Sequence, residues 1–528
     1  MASIIKCKVR NQTYLYESES YRDDSGKVKN RRRIVGKVDP ATGQHVFKPE
    51  YIEEKGLGAL GESAQEARIY TANDVKQSVV KEYGAFHLLG GIVEQIGLSS
   101  VLSKAMPNSW KSVLSLAFYM VASGEPALYC EDWLYKTESY EGVALSSQRI
   151  SELLTGITAD ERMNFFEYWG KQRMESEYLA LDITSISTYS ELMNEAEWGY
   201  NRDKEKLPQV NVCLLVGEKS QLPIIQTVYS GSLKDVSTLK STLQVADSLS
   251  FTNMALVMDK GFASTKNINA MLDKEAALRF LIALPFSMGF AKRQIIGEER
   301  NIDCVDNTIA IGNDVLRGIM KQRAWNPENS VFVHVYFNPD NALNARNKLY
   351  AKVKKLVKRT NQNPEKYQSD ELATKYLSIR KSGKNEMGYT VNIKHDVLSD
   401  ELATTGFLVL ISNHVDCPEK AIQIYRSKDV VEKGFQRMKN CLDLARLRVH
   451  SDEAMQNKIF VGFIALIITA HIHKVMTDHQ LYDTYTMKKL IKTLERLKIH
   501  HIKSDRIASP LTKEHKTIFD AFHIKHDL

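Results

Sequence analysis

The sequence has few cysteines for its length, and none of them lie close together. Cys7, Cys130, Cys213, Cys304, Cys417 and Cys441 are scattered through 528 residues with no Cys-x-x-Cys pair. That spacing excludes a disulfide scaffold and a zinc ribbon, and suits free thiols in a reducing compartment. Long apolar runs are missing too. The longest, Ile459 to Ala470, is 12 residues between Lys458 and His471, too short to cross a bilayer and suited to a buried helix. The first residues, MASIIKCKVRNQTYLYE, lack the apolar stretch of a signal peptide. A soluble cytoplasmic chain without membrane contact is expected. Charge of one sign is also scarce, with 71 Lys and Arg against 64 Asp and Glu, a net +7. A polybasic architecture is therefore excluded, and any nucleic-acid surface must arise from local clustering. No internal repeat or low-complexity tract is present.

What remains is ordinarily globular, at 43% hydrophobic and 26% charged residues, and too long for a single core. Residues 1–60 read as a small β unit, with strand-like runs at Ser3–Val9 and Thr13–Glu17 and turns at Asp24-Ser25-Gly26 and Asp39-Pro40. This unit carries the basic cluster Lys29, Arg31, Arg32 and Arg33. Residues 61–170 turn helical, and 113–122 is apolar on nearly every face. Strand–helix alternation follows over 171–289. Residues 290–404 are polar and mixed, and the stretch 340–386 holds twelve Lys and Arg against five Asp and Glu. That local excess of +7 equals the net charge of the whole chain. An apolar strand at 406–412 and a long helix at 418–441 begin the segment 405–476, and 477–528 reads as a basic helical region. The simplest description is an α/β fold interrupted by a basic insertion.

Gly56-x-Gly58-x-x-Gly61 matches a dinucleotide fingerprint formally. The motif needs a buried strand before it, whereas Tyr51-Ile52-Glu53-Glu54-Lys55 precedes it here. A linker is expected, and no nucleotide cofactor. The acids on strands are more informative. Asp182 follows Leu179-Ala180-Leu181, and Asp259 follows Leu256-Val257-Met258. A buried carboxylate is costly unless paired or bound to metal, so two such placements favour a site over two strand-end turns. After the 406–412 strand, Lys428, Glu432 and Lys439 lie at +3, +7 and +14 from Tyr425. On a continuous helix these four share one face, an aromatic, two cations and one carboxylate. An exposed helix with ordinary charge pairs is the bland alternative.

The order of strand-Asp, strand-Asp and helix-Glu resembles the DDE transposases of bacterial insertion sequences. It is most similar to the IS-four-like branch, whose Glu helix reads Tyr-x2-Arg-x3-Glu-x6-Lys. This chain has Tyr425-x2-Lys428-x3-Glu432-x6-Lys439, with Arg437 nearby. Lysine at 428 keeps the charge but not the planar fork of arginine. Asp182-Ile-Thr-Ser185, Trp198-Gly-Tyr-Asn-Arg202, Gly231-Ser-Leu-Lys-Asp235 and Asp259-Lys-Gly261 are further family-like stretches. Asp259 precedes Glu432 by 173 residues, far more than a simple crossover needs, and members of this branch carry an insertion there.

The resemblance implies an RNase H-like catalytic core with a large insertion before the Glu, beside the N-terminal β unit and a helical DNA-binding region. It implies Asp182, Asp259 and Glu432 as catalytic residues. Three converging carboxylates need a cation, and oxygen ligands with a phosphoryl substrate point to two Mg²⁺ ions, with Mn²⁺ as substitute. Lys428 and Lys439, with Arg437, would hold phosphates, and Tyr425 would position the strand. Trp325, in the insertion, would stack on a flipped base, unless it is a core residue. The cluster Lys29, Arg31, Arg32 and Arg33, the helical region 75–160 and the stretch from Lys488 to Lys516 are candidates for binding double-stranded DNA at the terminal repeats, with a solvated basic face as the bland alternative. A homodimer on DNA follows from the family alone. Two other readings share these residues: an inactive transposase-derived DNA-binding protein, and an RNase H-like structure-specific nuclease.

Overall fold

Alternating polar and apolar residues near the start pair as half-buried strands do. The computed structural model describes residues 3–9, 12–22, 28–39, 45–54, 72–173, 177–249, 254–273, 278–312, 314–381 and 388–526. Strands β1 (Ser3–Val9), β2 (Gln12–Arg22), β3 (Val28–Val38) and β4 (His45–Phe47) form an antiparallel sheet in that order. Its buried apolar residues are Leu15 and Val35. The sheet belongs to a unit spanning Met1–Ser78, and Val79–Leu528 forms a second unit. The Gly56-x-Gly58-x-x-Gly61 motif and the Asp24-Ser25-Gly26 turn lie outside the described residues.

The second unit opens with β5 (Val79–Glu82) and a run of helices between Gly84 and Lys171. The main strands follow: β6 (Tyr178–Ser187), β7 (Gln209–Gly217), β8 (Pro223–Ser230), β9 (Ala255–Met258) and β10 (Arg279–Ala283). Every residue of β7 is buried, because helices cover both faces of this sheet. Three further strands come from the stretch expected to be a separate insertion: β11 (Thr308–Ile311), β12 (Asp314–Ala324) and β13 (Ser330–Phe337). They extend the main sheet instead. The reason lies in β13, which buries Val331, Val333 and Val335 on one face and His334 and Tyr336 on the other. A strand apolar on both faces requires cover on both, which a small polar domain does not offer.

Only the segment between Asn338 and Gly406 leaves the sheet. It contains the helix Pro339–Gln362, the hairpin β14 (Leu377–Lys381) and β15 (Tyr389–Ile393), and the helix His395–Leu402. Leu349, Val353, Leu356, Tyr376 and Leu398 give it a small core of its own. The chain returns through Gly406 (φ 81°), where an added Cβ would lie 2.5 Å from Ala342 Cβ, so only glycine closes the excursion. It then enters β16 (Phe407–Ser412), and the nine-stranded sheet runs β11-β12-β13-β16-β10-β9-β6-β7-β8. Parallel pairing joins β6 to β9 and β9 to β10. Because β13 and β10 both pair antiparallel with β16, the excursion leaves from the end of the sheet where β9 and β10 finish.

The long apolar run behaves as its flanking charges suggest. It is the centre of a 27-residue helix, Asp452–Asp478, that packs on the Trp110–Ala122, Ser147–Gly156 and Asp429–Cys441 helices. Among the described residues this one helix is long and apolar enough to cross a membrane, and 78% of its apolar window is buried inside the fold. The C-terminal region departs from an all-helical expectation. Strands β17 (Lys498–Ile502) and β18 (Asp505–Ala508) form a hairpin that pairs with β5. The β-branched residues Ile499 and Ile502 and the edge left by β5 select strand over helix there.

Candidate active site

The sheet register brings the two strand acids together. Leu181 on β6 pairs with Met258 on β9 in parallel, so Asp182 and Asp259 follow paired residues, with strand axes about 4.8 Å apart. β9 stops there, and Asp259 caps the short turn Lys260–Phe262, its Oδ1 accepting the Lys260 N–H at 2.8 Å. β6 continues past Asp182 to Ser187, which leaves a notch in the sheet edge beside the acids.

The third acid arrives on a helix that the sequence describes as continuous from 418 to 441. The structure corrects this: Pro418–Ser427 and Asp429–Cys441 are two helices that meet at Lys428. The Lys428 N–H bonds the Tyr425 carbonyl three residues back, at 3.4 Å. A step of that kind tightens the turn and brings residues i and i+3 over each other. Tyr425 and Lys428 consequently reach the same carboxylate. The Tyr425 hydroxyl donates to Asp259 Oδ1 at 2.8 Å, and Lys428 Nζ lies 3.9 Å from Asp259 Oδ2 and 2.8 Å from Glu432 Oε1.

Electrostatics follow from this clustering. Burial pushes the Asp182 carboxyl up to about 6, partly opposed by the Ile183 N–H and by the positive charges of Arg202 and Lys428. Burial acts against the Lys428 ammonium, yet its hydrogen bond to Glu432 and the field of Asp259 hold its pKa above the ordinary lysine value. Burial, then the adjacent Asp259 charge, raises the Tyr425 phenol, which therefore stays a proton donor to Asp259. The lysine side chain is 14% exposed, against 41% for Asp259 and 48% for Glu432. One ammonium thus serves Asp259 and Glu432, and Arg202 acts with it on Asp182.

Among the described residues, no three His, Cys, Asp or Glu side chains are grouped closely enough to hold a metal ion. The donor set nonetheless fits a hard divalent cation: all its donors are carboxylate oxygens, and burial opposes ionisation of one of them, a cost that a bound cation would offset. Asp182, Asp259 and Glu432 are the residues that would hold it.

The structure separates the other sequence candidates from this cluster. Lys439 pairs with Asp203 at 2.6 Å. Arg437 is half-buried near Tyr482, Cys441 and Asp429, and burial lowers its pKa. Trp325 is further away. Phe332 and Leu281 both pair with Ser412, and Leu281 pairs with Val257, so Phe332 is level with Val257. Trp325, whose N–H bonds the Asn329 carbonyl, therefore sits roughly 16 Å along the strands and about 19 Å across from Asp259. Its indole N–H donates to Asn269 Oδ1 at 2.8 Å and its ring meets Phe290 edge-on at 4.9 Å. It is a packed residue and does not reach the acids.

In the N-terminal unit, Lys29, Arg31 and Arg32 are exposed on β3. Arg31 lies opposite Glu19. Arg33 pairs with Glu17 at 2.8 Å and with Glu54 at 2.5 Å, and those carboxylates raise its pKa.

Sequence reasoning gave no role to Arg202 and Asp235, although both end stretches singled out above. Arg202 forms an ion pair with Asp235 and donates to Ser185 Oγ at 3.3 Å. Asp235 in turn lies beside Gly261, where an added Cβ would stand 3.1 Å from its Oδ2. This chain of contacts runs from β6 to the turn after Asp259. A charged residue closing each stretch was the available signal.

The family described as "Transposase DDE domain" matches residues 174–468. Among solved structures, the cryo-EM structure of the piggyBac transposase synaptic complex with hairpin DNA is similar at 10% identity. The match covers 78% of this chain and 70% of that one at a TM-score of 0.35, too loose to carry an argument. No curated protein matches the chain.

Proposed function

Since this chain belongs to the DDE transposase domain family, whose match spans more than half of it, we propose that it is the transposase of a bacterial insertion sequence of the IS-four-like branch. It would bind the element's terminal inverted repeats, nick them, and join the freed ends to target DNA. The observation that carries this reading is the convergence of Tyr425 and Lys428 on Asp259, with Lys428 also bonded to Glu432. One strand acid and the helix acid are thereby linked through one cation, with Asp182 on the neighbouring strand.

Asp182, Asp259 and Glu432 are the catalytic carboxylates in this proposal. Two Mg²⁺ ions, replaceable by Mn²⁺, would supply the charge that in-line phosphoryl transfer requires. Tyr425 orients Asp259 through its hydroxyl, and Lys428 moves between the carboxylates and a DNA phosphate. Lys439 and Arg437 contribute positive potential along the same helix. An ordered DNA phosphate would compete with Asp203 for Lys439, so the pair reads as a resting contact.

The path of DNA is inferred from charge. The helix Pro339–Gln362 buries Leu349, Val353 and Leu356 and turns Arg346, Lys348, Lys354, Lys355, Lys358 and Arg359 outward. It leaves the sheet at the acid-bearing end, so it offers phosphate contacts beside the cut. Lys29, Arg31, Arg32 and Arg33, the helices of 72–170 and the C-terminal region would recognise the ends. The protein would act as a homodimer on DNA in the bacterial cytoplasm, because two ends must be joined in one event.

The test uses duplex DNA carrying the inverted repeats that flank the gene. The parent protein should nick these ends in Mg²⁺, whereas Asp182→Asn and Glu432→Gln should bind them and leave them intact. Full cleavage by either variant would refute the site.

A further inference from the structure

The connection between β6 and β7 carries an arrangement that the acid site does not use. Trp198 is 66% exposed and Tyr200 84%, yet the backbone between and beside them is firmly held. Gly199 packs so closely that an added Cβ would lie 1.9 Å from the Gly231 carbonyl oxygen. The Tyr200 carbonyl accepts from Gln209 Nε2 at 3.0 Å and from Ser185 Oγ at 3.5 Å. Asn201 is buried, donates to Ser187 Oγ at 3.0 Å, and accepts the Asp203 and Glu205 N–H groups at 2.9 and 3.2 Å. Glu197 accepts from Ser230 and Ser232.

A mobile loop would sample conformations that cover its aromatic rings. This one is pinned at each step, so both rings stay in water. Single exposed apolar residues are ordinary, but two large rings on an anchored segment imply a partner surface.

The position of the segment identifies the partner. β7 begins, and β8 ends, at the level where β6 finishes, so this connection crowns the acid-bearing end of the sheet. Ser185, which holds the Tyr200 carbonyl, is three residues past Asp182, about 10 Å along the strand. The segment also carries the exposed cations Lys204 and Lys206. Arg202 joins it to Asp235 and Ser185, while Arg446 pairs with Glu205 at 2.5 Å and lies over the ring of Tyr189 at 5.7 Å. Exposed rings among cations, beside carboxylates suited to phosphoryl transfer, match the chemistry of single-stranded nucleic acid: ring faces for bases and positive charge for phosphates.

We propose that Trp198 and Tyr200 form a rigid stacking platform for unpaired bases flanking the cut. Its substrate class is single-stranded DNA at the opened end. The inference rests on the transposase reading above, and it assigns base stacking to this segment and away from Trp325.

The test measures binding of a (dT)₁₂ single strand, together with nicking of the inverted-repeat duplex. In the duplex, 2-aminopurine replaces a base next to the cut. Each of Trp198→Ala and Tyr200→Ala should weaken (dT)₁₂ binding by about ten-fold and abolish the stacking quench of 2-aminopurine. Trp198→Phe and Tyr200→Phe, which keep a ring, should stay within about three-fold of the parent. Ile296→Ala, which trims an exposed apolar side chain outside the regions assigned to DNA, should change neither readout. The platform is overturned if the parent nicks the duplex while both Ala variants bind and quench as it does. Equal loss in Ile296→Ala would overturn it as well. A parent that neither binds nor nicks these DNAs refutes the functional reading itself, and the platform with it.

Discussion

Replacing Asp182 with asparagine should stabilise the metal-free protein at neutral and alkaline pH, even though it removes a proposed catalytic acid. Burial raises this carboxyl from 3.8 to about 6 in the folded chain. A carboxyl with a raised folded pKa is penalised for ionising. The penalty is absent below the unfolded value, grows as pH rises from about 4 to about 6, and is complete above that. A rise of this size corresponds to about 3 kcal/mol, and solvent reaching the partly open site reduces it to about 1–2 kcal/mol. Asparagine has nearly the same shape and never ionises, so it recovers that amount. Urea denaturation in EDTA at pH 8 should show the variant more stable by about 1–2 kcal/mol, and at pH 4 the two should coincide. Added Mg²⁺ should narrow the gap at pH 8, because a cation offsets the repulsion among the parent's carboxylates. A variant no more stable than the parent at pH 8, or more stable by the same amount at both pH values, would refute the reasoning.

Other substitutions test separate parts of the structure. Lys428→Ala leaves Asp259 and Glu432 without their shared cation and should reduce nicking by about a hundred-fold; Lys428→Arg should recover much of it, which a rate comparison on one duplex would show. Trp325→Ala should leave nicking unchanged. It should lower stability by about 1–3 kcal/mol through loss of the Phe290 contact and the Asn269 hydrogen bond, read from urea denaturation. Asn457 is fully buried and donates to the carbonyls of Leu154 and Ile157, each at 2.8 Å, while accepting from Arg162. Asn457→Ala should destabilise by about 2–4 kcal/mol, because it strands two carbonyls and a guanidinium. A loss below about 0.5 kcal/mol would mean that those groups find other partners.

The parts of the site legible in sequence were those set by local pattern. A single acid after an apolar strand is visible because water-avoiding residues on both sides make its cost conspicuous, and Asp182 and Asp259 stand out for that reason. Spacing also puts Tyr425, Lys428 and Glu432 on one face, although they lie on two helices that meet at Lys428. The limit shows at Lys439, which shares the calculated face but pairs with Asp203. The break at Lys428 and the competition from a loop 236 residues away in sequence are invisible to a periodicity. Trp325 is a related case. Its type suggested stacking, but a ladder of four strand pairings placed it far from Asp259.

Sequence by itself determined the solvent preferences of this chain: free cysteines far apart, a charge excess confined to 340–386, one apolar helix, and three acids each in a readable local context. Those properties depend on neighbours within a turn of helix or a few strand residues, where geometry is fixed by the backbone. Tertiary structure decided the rest. It added β11 to β13 to the main sheet because β13 is buried on both faces, aligned Leu181 with Met258 so that two acids are neighbours, and placed Lys428 between Asp259 and Glu432. It also held Trp198 and Tyr200 out in water beside them. Such choices depend on pairings between residues tens to hundreds of positions apart, and only the closed fold selects among them.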